Sequence, residues 1–403
     1  MPVYNFAQLG ARYRYLYAAL LYESGMLDKL YTDFWMPVNL ESDKLPSIMR
    51  KMAGRRSDRI SNRKVVSFYR LGYQLYSALK KSNDIFYQSE VLAEFGSEFA
   101  KRQLKSIDRS SGYIGMCSES LEVIRELKKC GSQTTLIQYD ACDDSSILLA
   151  ENRRWPDWSP EGNQRSPQYY RRVYLEWAET DRIMVNSEWT RDLIVTQGAD
   201  PSKIYTVPLV CINRNPEADR QINMSKPLKV LFVGSVVLRK GVQYLIEAAR
   251  LLNHSRFEFF ILGQNYQSPD AFKGVGENVH FIGQIPFQEV EKYYRDCDVL
   301  VFPTLSDGFG SVQVEAMSYG LPVIATSSCA SVAENEKSGF IIPPADSGSL
   351  VLCLKQLEED RRLLEKLSVN APRRAQEFSF ENVTRSFNSM LRTVKEKAPD
   401  ESC

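Results

Sequence analysis

A regular alternation of short apolar runs with amphipathic runs constrains this chain more than any other feature. From residue 228 onward the strand-like runs are Leu228–Val233, Phe257–Leu262, Val279–Ile282, Asp298–Phe302 and Pro322–Ala325. The helix-like runs are Val242–Leu252, Phe287–Cys297, Ser311–Tyr319, Ser347–Glu358 and Arg361–Gln376. Strands that alternate with helices pair in parallel through right-handed crossovers. In such sheets ligands bind at the carboxyl ends of the strands, where loops lead into helices.

The first half carries the same rhythm from Tyr113 onward. Tyr113–Met116 reads as a strand, Glu119–Lys129 as a helix with Leu121, Ile124 and Leu127 on one face, and Thr134–Tyr139 as the next strand. Asp143–Gln168, rich in Trp, Pro and Asn, reads as a long excursion with little regular structure at its centre. A helix over Tyr169–Thr180, a strand over Arg182–Val185, a helix over Ser187–Gln197 and a strand over Ile204–Pro208 follow. Cys211–Pro227 is polar and weakly patterned, as a linker between domains would be. The first 110 residues show no obvious βα unit.

Composition narrows the class. A chain of 403 residues accommodates two domains of ordinary size. Hydrophobic residues at 43% and charged residues at 25% are those of a globular protein. The net charge of +1 gives no whole-protein attraction to nucleic acid, so none is expected as a partner. No apolar run approaches the roughly 20 residues that span a bilayer. Met1 to Arg14 lacks the plan of a signal peptide, and no cysteine pair shows Cys-x-x-Cys spacing. A reduced, cytoplasmic setting without a zinc site or disulfide framework is the expectation.

Two loops at strand ends carry the chemistry. Asp307-Gly308-Phe309-Gly310-Ser311 leads from the Asp298–Phe302 strand into a helix that contains Glu315. Glycines there let a ligand approach the backbone. The helix start adds free N–H groups and a positive dipole end suited to phosphate. The two carboxylates are acceptors for hydroxyl groups. The other loop, Gly234-Ser235-Val236-Val237-Leu238-Arg239-Lys240-Gly241, follows the first strand of this half. Its Arg239 and Lys240 suit phosphate charge. Phosphate donors beside hydroxyl acceptors describe a sugar-nucleotide pocket.

A third feature is electrostatic. Between Arg50 and Lys81 ten basic residues face the single acid Asp58, with apolar and aromatic residues among them. Such a basic amphipathic stretch suits an anionic membrane surface or a phosphorylated acceptor.

The second half closely resembles the nucleotide-binding domain of the retaining glycosyltransferases of the GT-B fold, family 4, the glycosyl transferases group 1. The motifs that carry the resemblance are Val233-Gly234-Ser235 with Arg239-Lys240-Gly241, Phe281-Ile282-Gly283, Asp298 to Thr304, Asp307 to Gly310, Glu315-Ala316-Met317, Gly320 to Thr326 and Gly339 to Pro344. They run in family order over about Leu228 to Gln376. The first half resembles the family more faintly, through Asp181 to Trp189 and through Gly10-Ala11-Arg12, a candidate first glycine loop.

The resemblance implies an α/β fold of two Rossmann-like domains facing each other across a cleft. Residues 1–210 would form the acceptor-side domain, with 379–403 packing back onto it. Residues 211–227 would be the linker and 228–378 the nucleotide-sugar-binding domain. It further implies transfer of a hexose-type sugar, with retention, from a nucleotide diphosphate sugar to a saccharide or lipid-linked acceptor. No cofactor and no metal are implied. Asp307 would touch the hexose and Glu315 the ribose hydroxyls. Gly234, Ser235, Gly308, Phe309, Gly310 and Ser311 would present backbone groups, while Lys240 and Arg239 would meet the diphosphate. Two departures stand out: Asp307 replaces the usual Glu, and Ser235 replaces an Arg. The family's first-half His is missing, since the only histidines are His254 and His280. Asp140 or Asp143, just after the strand ending at Tyr139, is the candidate for that polar role, with Asp140 taken into the site. Two other readings share the fold: a non-catalytic sugar-nucleotide binder, and an epimerase or phosphorylase.

Overall fold

The computed structural model describes residues 2–37, 55–162, 164–211 and 227–393. These group into two compact units. The first takes the residues up to 146, then 162–185 and 191–205; the second takes 147–161, 186–190 and those from 206 onward.

The first unit is built on seven strands: β1 Tyr4–Gln8, β2 Leu27–Thr32, β3 Val65–Ser67, β4 Gly112–Met116, β5 Thr134–Gln138, β6 Arg182–Val185 and β7 Ile204–Thr206. Their order is β3-β2-β1-β4-β5-β6-β7. Neighbours from β3 through to β6 pair in parallel. Order therefore reverses between β1 and β4, the place where ligand sites form in such sheets. A first βα unit does exist, contrary to the sequence expectation. β1 is buried along its whole length, yet it reads Tyr-Asn-Phe-Ala-Gln rather than as an apolar run. Its polar side chains donate to backbone carbonyls, while the buried Asn5 Oδ1 has no partner among the described residues. Asn5 Nδ2 donates to the Asp108 carbonyl at 3.1 Å, and Gln8 Nε2 donates to the Gly10 and Arg12 carbonyls at 2.8 and 3.2 Å.

The basic stretch is not one amphipathic element. Arg50 and Lys51 lie outside the described residues. The rest divides into a turn, β3 and the helix Tyr69–Leu79, which buries Leu71 and Leu75. Several of its cations already have acids: Arg55 pairs with Asp33, Arg56 with Asp58 and Arg59 with Glu23. The surface offered to anions is smaller than the residue count suggests.

The second unit has six strands: β8 Leu228–Val233, β9 Phe257–Leu262, β10 Val279–Gly283, β11 Val299–Phe302, β12 Val323–Thr326 and β13 Gly339–Ile342. They run β10-β9-β8-β11-β12-β13, and every neighbouring pair is parallel. The first five coincide with the sequence-read runs to within about a residue, a match expected where central parallel strands are covered on both faces. β13 was legible only as part of a motif.

The division near residue 210 is more complicated than a single cut. The expected linker lies almost wholly outside the described residues. The helix Phe380–Arg392 groups with the second unit. So does 147–161 from the excursion, which holds most of a regular helix, Ser145–Arg154. The reason is packing. Trp158 is 5% exposed in the core of the second sheet, its ring 5.5 Å from that of Phe272. The buried Glu151 accepts from Gln243 Nε2 at 2.9 Å and from the Tyr244 hydroxyl at 2.8 Å. Trp158→Ala is expected to cost about 3–5 kcal/mol through lost burial and a residual cavity, read as a lower midpoint in urea unfolding followed by circular dichroism. A change within about 0.5 kcal/mol, typical of surface substitutions, would contradict the packing account.

Candidate functional site

In the second unit the loops after β8 and β11 lie against each other at the reversal of strand order. Leu305 N–H and the Thr304 hydroxyl both donate to the Arg239 carbonyl, at 2.9 and 3.1 Å. Gly241, at φ +70°, permits the approach: a Cβ there would lie 1.8 Å from the Pro303 carbonyl oxygen. Gly310, at φ +74°, opens the helix Ser311–Ser318 under the Phe302 ring, which would meet a Cβ at 2.5 Å.

This arrangement brings Lys240 and Asp307 into an ion pair, with side chains 19% and 17% exposed. The Lys240 ammonium also lies 5.5 Å from the centre of the Phe302 ring. The other oxygen of Asp307 accepts from Phe309 N–H at 3.2 Å. That amide, expected to face a ligand, is thus engaged within its own loop, and the Phe309 ring is buried against Phe378. Gly308 is held from its carbonyl side, by the Ser187 hydroxyl at 2.6 Å.

Arg239 departs most from expectation. Its side chain pairs with Glu161 at 3.4 Å and donates to the Ser306 carbonyl at 3.0 Å. Its backbone N–H donates to Glu161 Oε2 at 2.7 Å. It fastens the excursion to the loop rather than standing open to phosphate. Glu315 is placed as a hydroxyl acceptor. Its two oxygens receive the Tyr294 hydroxyl at 3.2 Å and the Ser311 hydroxyl at 3.3 Å, which fix its orientation. Gly234 N–H continues the sheet to the Leu262 carbonyl at 2.9 Å, and Ser235 lies half-buried beside it.

The remaining candidates belong to the first unit. Gly10, at φ +76°, follows β1 and precedes three successive left-handed residues, Tyr13, Arg14 and Tyr15. Such backbone is sparsely populated for side chains of this size and tends to gather at functional sites. Two buried acids hold the loop. Asp33, at the end of β2, accepts from Gly10 N–H at 2.8 Å. Glu119, beyond β4, accepts from Leu9 N–H at 2.6 Å. Both are 1% exposed. Neither was singled out from the sequence; an acid a few residues past a strand has no signal of its own until the β1 loop is known to lie beside it. Asp140 is exposed but engaged: it pairs with Arg165 at 2.9 Å and accepts from Cys142 N–H at 3.2 Å. Desolvation pushes its carboxyl up, but Arg165 and the Cys142 amide outweigh that and hold it below the ordinary value. Asp181, in the other motif of this half, ties β6 to β5 by accepting from Thr134 N–H at 2.8 Å.

Known proteins bear on this geometry. Residues 214–374 match the family model of glycosyl transferases group 1. The chain is similar to a D-inositol 3-phosphate glycosyltransferase of Corynebacterium kroppenstedtii, 27% identical over 252 residues, which are 55% of this chain and 55% of that one. It is similar to the amylovoran biosynthesis glycosyltransferase AmsK of Erwinia amylovora, 26% identical, covering 62% of this chain and 60% of that one. It spans about half the length of the first curated relatives it matches. Among solved structures, HepE of Anabaena in complex with UDP superposes with a TM-score of 0.63 at 14% identity, over 97% of this chain and 99% of that one. At that identity the likeness establishes the fold: two Rossmann-like α/β units of the GT-B class.

The group 1 match covers the Lys240–Asp307 loops and leaves the Glu119 clamp outside it. Burial raises the Glu119 carboxyl from 4.5 to about 8; Arg12 and the Leu9 amide pull it down, while Glu176 and Asp33 push it further up. Its Oε1 has no partner among the described atoms, as suits a carboxyl that keeps its proton. Between about 4.5 and about 8 the folded chain retains that proton and the unfolded chain has released it. The contribution is therefore present at low pH and lost as pH rises through this window. Glu119→Gln is expected to flatten the fall in stability across the window, measured by urea unfolding at a series of pH values. An unchanged slope would remove Glu119 as its source.

Proposed function

We propose that this chain is a retaining glycosyltransferase that moves a hexose-type sugar from a nucleotide diphosphate sugar to a saccharide or lipid-linked acceptor. The observation that most supports the reading is the pairing of Lys240 with Asp307 across the loops after β8 and β11, with Glu315 in the helix that the second loop opens. Lys240 serves as the phosphate cation. In the reading offered here, an incoming diphosphate takes the ammonium from Asp307. The freed carboxylate then accepts a sugar hydroxyl, and Glu315, held by Tyr294 and Ser311, receives the ribose hydroxyls.

Charge grows on the leaving diphosphate as the glycosidic bond breaks. Lys240 and the amides that open the Ser311–Ser318 helix lie where that charge develops, and removal of one such donor typically costs 10²–10³ in rate. Asp307, shorter than the Glu expected of the family and engaged by Lys240, is not offered as a nucleophile. Attack by the acceptor hydroxyl on the face the diphosphate leaves accounts for retention without a covalent intermediate. Arg239 acts by holding the loop through Glu161 rather than by touching phosphate. The UDP in HepE makes UDP-sugars the first donors to try, and AmsK, named for amylovoran biosynthesis, supports a saccharide acceptor. No described helix is long and apolar enough to cross a membrane; peripheral attachment on a cytoplasmic face, through what remains of the basic stretch, is part of the proposal.

A thermal-shift panel of UDP-, GDP- and ADP-sugars tests donor binding, since a ligand at about a hundred times its Kd stabilises the fold by about 2.7 kcal/mol. With the donor so found, Lys240→Ala and Glu315→Ala are each expected to lower turnover at least about a hundredfold. Full activity in both would sink the site assignment. Tight donor binding without any release of nucleoside diphosphate would favour a non-catalytic binder.

A further inference from the structure

The helix Pro167–Glu179 turns Tyr169, Arg172, Val173, Glu176 and Trp177 inward. Its outer side is unusual. Tyr170 and Tyr174, one helical turn apart, stack with ring centres 6.2 Å apart and planes 19° apart. Tyr174 and Leu175 are 38% and 36% exposed. With Arg165 and Arg171 they line a shallow, open groove of about 570 Å³. Arg165 is anchored on two sides: its guanidinium lies 4.9 Å from the Tyr169 ring centre, and its Nη2 bonds Asp140 at 2.9 Å. Through Asp140 the groove joins the carboxyl-terminal edge of β5, where loops of a parallel sheet receive ligands. Arg171 is exposed, and no acid is paired with it among the described residues.

We propose that this groove binds an anionic saccharide, with sugar rings on the Tyr170–Tyr174 platform and a carboxylate or phosphate substituent on Arg171. Flat aromatic faces suit the apolar faces of sugar rings and lose little entropy on binding, because each ring has few torsions. A guanidinium fork suits a carboxylate or a phosphate equally. The number of cations selects the ligand. Asp140 pairs with Arg165 and Asp143 lies within electrostatic range of Tyr170 and Tyr174, which leaves Arg171 as the lining cation without an acid partner among the described residues. Single-stranded nucleic acid brings one phosphate with every nucleotide. A chain with a charge on only some of its sugars fits a single guanidinium better. As an acceptor subsite the groove rests on the transferase reading; as a saccharide site it does not.

The test therefore uses neither nucleotide nor turnover. A xylotriose bearing a single glucuronate, maltotetraose, mannose 6-phosphate and a short oligothymidylate are titrated by calorimetry into the full chain and into Tyr174→Ala and Arg171→Ala. Both substitutions sit on an exposed helix face, and thermal melts confirm folding. The expected result is binding of the glucuronate-bearing xylotriose that weakens at least about tenfold in each variant and falls with added salt. Maltotetraose should bind at least about tenfold more weakly than the glucuronate-bearing saccharide. Mannose 6-phosphate binding that depends on Arg171 would extend the anion from carboxylate to phosphate and support the site. No saccharide binding, equal binding of maltotetraose, or affinity unchanged in both variants overturns the proposal. So does tighter binding of oligothymidylate lost in the same variants, which would make this a nucleic-acid groove. Because the donor panel reads a different unit, its failure and this one are told apart.

Discussion

The second unit's site depends on one close approach, the Gly241 backbone against the Pro303 carbonyl. A side chain at that point would force the loops after β8 and β11 apart. With them together, the Arg239 carbonyl becomes a shared acceptor for the β11 loop and Lys240 reaches Asp307. Parallel strands supply the common edge; the missing Cβ lets two loops on it pack against each other. Electrostatics then completes it. The partly buried cation would be costly alone, and the carboxylate beside it offsets that cost while no ligand is present.

The first unit also uses carboxylates to restrain a loop, here by accepting from backbone amides. Its β1 loop takes up left-handed backbone at three successive side-chain-bearing residues. Two acids from neighbouring strand ends hold the amides at the start of that loop. The amides are satisfied and the strained turn is over-determined, as such conformations require if they are to persist. One edge of the protein thus presents a cation restrained by an acid, and another a turn restrained by acids.

Most of the second unit was legible because its central strands are apolar runs and its glycines and charges fall just beyond them. The positions of Lys240, Asp307 and Glu315 just beyond strands were legible this way, since strand-end position is a sequence property. Their partners were not. That Asp307 holds Lys240, or that Glu161 engages Arg239 from 78 residues away, follows only from tertiary placement. β1 was missed because Asn5 and Gln8 interrupt its pattern, and their compensating hydrogen bonds cannot be read from spacing. The excursion was misread for a similar reason: Trp155 and Trp158 look like surface irregularity until the sheet they cover is known. Glu119 and Asp33 share the cause, being acids whose role is set by a loop more than 20 residues distant in sequence.

The arm from Ile147 to Glu161 has a consequence for the order of assembly. Its partners Gln243, Tyr244, Gln267 and Phe272 lie some 80 to 120 residues later in the chain. During synthesis at about 5–20 residues per second, the arm leaves the ribosome several seconds before any surface exists to receive it. The arm belongs to the second unit's core, so that core stays incomplete until segments made some 80 to 120 residues apart have met.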